Sequence, residues 1–68
     1  MKWQRADRES VDYYRKTKAV KLFDVTPEIS LWRGIYFDYR LIWDTPEQVS
    51  ISRDYGNPVN AIQDLQRP

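Results

Sequence analysis

Along the centre of the chain, apolar and polar side chains alternate. From Ile29 the odd positions read Ile29, Leu31, Arg33, Ile35, Phe37, Tyr39, Leu41 and Trp43. The even positions read Ser30, Trp32, Gly34, Tyr36, Asp38, Arg40, Ile42 and Asp44. A period of two, rich in aromatic and β-branched residues, predicts a half-buried strand, kept best over 35–43, with Gly34 marking a bulge, a bend or a close backbone approach. If Ile35, Phe37, Tyr39, Leu41 and Trp43 face the core, the opposite face shows Tyr36, Asp38, Arg40 and Ile42, with Trp32 close by. On that expectation Phe37→Ala removes a core ring and costs about 3–5 kcal/mol.

Two stretches echo each other. Phe23–Arg33 and Trp43–Arg53 both contain an aromatic residue, Asp, a Thr-Pro-Glu element and then a branched residue, Ser, an aliphatic residue, one variable position and Arg. Proline has no N–H for a central ladder and suits the second position of a turn, so each Thr-Pro-Glu predicts a connection between strands. The result is a meander: a strand near 19–24, a bent strand across 29–43, and a strand near 48–53. Before it, Asp7-Arg8-Glu9-Ser10 supplies a helix cap and first-turn acids, and Arg15-Lys16-Lys18 supplies cations toward the far end, which predicts a helix over 8–17. After it, Asn57 as cap and Pro58 as first residue predict a short helix over 58–65. The expected fold class is α+β: a small antiparallel β-meander of about three strands with an N-terminal basic helix and a short C-terminal helix. It forms one small domain over 1–68, divided into a basic segment (1–18), a meander (19–55) and a closing helix (57–66).

An all-helical rival exists, because Thr-Pro-Glu also opens helices. Residues 27–33 and 46–55 would then be helical, ended by Gly34 and Gly56. In that frame, 51–65 resembles a degenerate helix-turn-helix, with the spacing Ile51-Ser52-Arg53-Asp54-Tyr55-Gly56 and then Ala61-Ile62. Its second helix has Asp64 and no cation before Arg67, which suits phosphate and base contacts badly. The run Trp32–Trp43 also resembles the Arg/Gly/Asp-Tyr-Arg hairpin of small ribonuclease toxins that pair with antitoxins. That likeness covers the hairpin alone, and the activity is not carried over.

Composition narrows the chemistry. The 68 residues include no His and no Cys, which removes thiol chemistry, disulfides, the commonest metal ligands and the usual general base. Catalysis would rest on carboxylates, Tyr, Ser, Lys or Arg. The acids Asp24, Glu28, Asp38, Asp44 and Glu47 fall at predicted turns or beside Arg, where capping and ion pairing account for them. No enzyme activity, cofactor or metal site is expected. The start, Met1-Lys2-Trp3-Gln4-Arg5, has no apolar signal region, and no stretch is long enough for a membrane span. A cytoplasmic protein without a membrane partner is therefore expected.

Net charge is +1 but unevenly spread: residues 1–21 carry seven basic groups against three acids, and residues 22–68 carry four against seven. Arg5, Arg8, Arg15, Lys16, Lys18 and Lys21 are thus candidate phosphate contacts, and a nucleic-acid-binding protein is the alternative reading. The leading expectation is a non-catalytic protein–protein interaction module. Five of the ten aromatic residues (Trp32, Tyr36, Phe37, Tyr39 and Trp43) fall within twelve positions. Tyr, Trp and Arg are the residues most enriched at binding hot spots. The expected protein-binding face is Trp32, Tyr36, Arg40 and Ile42. A homodimer through the same face is a further possibility.

Overall fold

Each helix begins at the predicted cap. In the computed structural model, which describes residues 1–67, helix α1 spans Arg8–Thr17, with the Asp7 carboxylate accepting from the Ser10 N–H at 3.1 Å. Arg15 and Lys16 occupy its last turn, where the helix dipole favours cations. Helix α2 spans Pro58–Gln66, with Asn57 accepting from the Asn60 N–H at 2.8 Å and Pro58 in the first turn. The expected 8–17 and 58–65 thus match to within a residue.

The sheet has five strands where about three were expected: β1 (Gln4–Ala6), β2 (Ala19–Asp24), β3 (Ile29–Gly34), β4 (Tyr39–Asp44) and β5 (Val49–Ile51). All neighbours are antiparallel, in the order β1-β5-β4-β3-β2. The class is α+β, as expected. Strand β1 is new: Gln4-Arg5-Ala6 has no apolar alternation, and it is a strand only through its pairing with β5.

The second extra strand arises because 29–43 is two strands. The chain turns back at 35–38, so the extended row expected over 35–43 holds only from Tyr39 onward. Gly34 is where it breaks. A side-chain carbon there would lie 1.9 Å from the Asp38 carboxylate, which crosses against the backbone.

Both Thr-Pro-Glu elements are turns and not helix starts. The Thr26 hydroxyl accepts from the Glu28 and Ile29 N–H groups at 3.2 and 3.0 Å, and the Thr45 hydroxyl accepts from the Gln48 N–H at 3.1 Å. Residues 27–33 and 46–55 contain no helix, so the helix-turn-helix likeness lacks its first helix.

The helices lie on opposite faces. Under α1, Val11 packs with Ile42 and Val49, supported by Tyr14, Trp32 and Ile51. Under α2, Ala61 packs with Leu31, Leu41 and Tyr55, joined by Trp3, Ile29, Ile62 and Leu65. Strand β5 ends at Ile51, short of the expected 53, because Ser52 continues the pairing with its side chain. Its N–H donates to the Leu41 carbonyl at 3.0 Å, and its hydroxyl accepts from the Leu41 N–H at 2.9 Å. Among the described residues, no helix is long and apolar enough to cross a membrane.

Candidate interaction surface

The turn between β3 and β4 is a three-residue loop, Ile35-Tyr36-Phe37. The Gly34 N–H donates to the Asp38 carbonyl at 2.6 Å, and the Phe37 N–H donates to the Gly34 carbonyl at 2.9 Å. Loops of this length commonly end with a residue in the left-handed region, where Gly is at home. Here that residue is Phe37, at φ 58°. All three side chains stand in solvent: Ile35 is 54% exposed, Tyr36 85% and Phe37 65%. The Arg33 guanidinium sits 5.2 Å from the Phe37 ring centre, a cation–π contact. The Ile35 N–H donates to the Lys18 carbonyl at 3.0 Å, tying the hairpin to the end of α1.

A second pair of exposed apolar side chains lies on the sheet, with Arg33 between it and the hairpin. Helix α2 lies over β4, while Val20 and Phe23 of β2, opposite Arg33 and Leu31 on that same face, remain about half exposed. Leu31 beside them is fully buried, so among the described residues the opening on this face is confined to the edge strand β2.

Three of the four residues of the expected binding face do share one side of the sheet, Trp32 standing opposite Arg40 and packing with Ile42, but that side lies under α1 and Tyr36 is not on it. Ile42 is fully buried beneath α1, so it offers nothing to a partner. Trp32 is half-buried in the same cluster, its indole N–H donating to the Ser30 hydroxyl at 2.7 Å. Arg40 is half-buried and bonded to Asp38 at 3.3 Å, with a second ion pair to Asp54. Tyr36 alone stands in solvent, at the hairpin tip. The cause is α1, which covers the face that the alternation had left open. Ile35 and Phe37, expected in the core, are exposed because the strand ends before them. The signal present in the sequence was Gly34, which interrupts the alternation and marks a close backbone approach, here to Asp38.

Beside this face runs a polar chain. The Tyr14 hydroxyl donates to Asp38 at 3.1 Å. Burial, and then the facing Asp38 charge, push the Tyr14 phenol up to about 12. Between α1 and the edge of the sheet, Ala6, Ser10, Val11, Tyr14, Arg40 and Ile51 line a hollow of about 190 Å³. Pockets for drug-sized ligands start at roughly 300 Å³. On the other face, burial and the hydrogen bond to Asp64 push the Tyr55 phenol up to about 12 as well.

The six candidate phosphate contacts are also dispersed. Arg8 and Arg15 converge on Asp44 at 2.7 and 2.8 Å, and Lys21 pairs with Asp24 at 2.7 Å. Hydrogen bonds, from Arg8 first and then from Arg15, hold the Asp44 carboxyl below its usual range. Arg5 lies on β1, at the far edge of the sheet from Lys16 and Lys18.

Searches of protein-family models, of curated proteins and of solved structures find no match to this chain.

Proposed function

We propose that this chain is a non-catalytic interaction module that grips a protein partner through Ile35, Tyr36 and Phe37, with Val20 and Phe23 alongside. The observation that carries the reading is Phe37. A left-handed conformation costs an ordinary residue about 1–2 kcal/mol, and Gly or Asn would adopt it more cheaply. The Phe37 ring returns little of this to the fold, since most of it faces water. Three consecutive exposed apolar residues are otherwise a liability for solubility. Burying Tyr36 and Phe37 against a partner would contribute about 1.5–3 kcal/mol each before ordering costs. Lys18 and Arg33 flank the tip and favour an acidic rim on that partner. The lack of cysteine suits a reducing compartment, and we place the module in the cytoplasm.

The test is affinity capture from native extract with the full chain and with Phe37→Asn, each with and without nuclease. A partner retained after nuclease and lost with Phe37→Asn supports the reading. Capture that nuclease abolishes would transfer the case to nucleic-acid binding.

A further inference from the structure

The two outer strands differ in how they are protected. Strand β1 is three residues long, with Gln4 and Arg5 exposed and polar. Strand β2 is six residues long and exposed from Val20 to Asp24, so one long edge of backbone N–H and C=O groups faces solvent. Natural edges are usually guarded by a lysine or a bulge. Strand β2 has both, yet its lysine is neutralised: the Lys21 ammonium lies 2.7 Å from the Asp24 carboxylate.

In a regular strand, residues three apart point to opposite faces, and such a pair could not form. The bulge between Lys21 and Phe23 makes it possible by setting Lys21 opposite Trp32 and Asp24 opposite Ser30, both on the α1 side. Val20 and Phe23, opposite Arg33 and Leu31, fall on the α2 side. The edge therefore shows apolar side chains on one face and a compensated charge pair on the other. Charge also runs along it: Lys18 stands just before the strand and Lys21 within it, and Asp24 stands at its end. A strand that is basic at its start and acidic at its end complements its own reverse.

We propose that β2 pairs antiparallel with β2 of a second copy of this chain, joining two five-stranded sheets into one. In this register Lys21 faces Asp24 of the second copy, and Leu22 faces Phe23. The hairpin residues Ile35–Phe37 take no part in the ladder, whereas Phe23 belongs to both surfaces, so variants at the hairpin tip and at Leu22 or Asp24 tell this inference from the partner-binding reading.

Sedimentation equilibrium of the full chain, at low and high salt, tests it alongside Asp24→Lys, the double variant Lys21→Asp/Asp24→Lys, and Leu22→Lys. A dimer is expected. Asp24→Lys should weaken it about tenfold, since two symmetry-related contacts turn repulsive together. The double variant should restore it, and Leu22→Lys should weaken it without involving the ion pair. A monomer up to about 1 mM would overturn the proposal. So would a dimer indifferent to both single variants, or one dissolved by Phe37→Asn.

Discussion

Ser52 is a polar residue in a fully buried position, and it is there because its hydroxyl does the work of a strand. It accepts the Leu41 N–H and donates to the Arg53 carbonyl at 2.9 Å, and among the described residues no buried side-chain N or O lacks a partner. Ser52→Ala would strand the Leu41 N–H and should lower stability by about 1–3 kcal/mol in urea denaturation. Ile42→Ala, at a fully buried site, should cost about 2–5 kcal/mol by the same measurement. Gly34→Ala would push the Asp38 carboxylate off Tyr14 and Arg40, at a cost of about 1–3 kcal/mol. Period-two alternation placed Leu41 and Trp43 on the correct face, because both belong to a true strand. It misplaced Ile35 and Phe37, because alternation cannot show where a strand stops when loop residues are as apolar as core ones.

Among the elements, the helices and β2 were the most legible, since caps, a first-turn proline and charge order act locally. Strand β1 was not legible, because its pairing partner lies more than forty positions away in the chain. The repeated Thr-Pro-Glu was correctly read as a turn, and its second copy also explains how α1 is held. Asp44, just before the second copy, receives both Arg8 and Arg15, and Arg8 also donates to the Thr45 carbonyl at 2.7 Å. The Asp44 carboxyl is depressed in the folded chain. Its contribution is therefore complete above the unfolded value of about 4 and is lost as pH falls through the lower folded value. Acid unfolding followed by circular dichroism should begin below about pH 4, and Asp44→Asn should flatten that limb. At the alkaline end the sign reverses. Tyr14 and Tyr55, raised from 10.0 to about 12, stabilise fully below pH 10 and lose that contribution as pH rises toward 12. Tyr14→Phe should shrink the alkaline loss.

For the whole molecule, the decisive asymmetry is in coverage. One face of the sheet lies under α1, while the face under α2 is buried at Leu31 and Leu41 and leaves Val20 and Phe23 of the edge strand β2 half exposed, with an apolar hairpin at 35–37. The expected binding face was assigned to the side that α1 occupies, because the strand pattern alone does not say which face a flanking helix chooses. Cations are likewise divided among separate ion pairs and edges, so duplex DNA should show no binding with the log-salt slope of about −0.9 per phosphate contact. On the proposed function, Phe37 is kept for a partner at the expense of the fold. Urea denaturation of Phe37→Asn tests that claim most directly. Stability equal to the parent or about 1 kcal/mol above it is predicted, because Asn accepts the left-handed turn more readily. A loss of about 3 kcal/mol or more, the cost of removing a core aromatic ring, would contradict it.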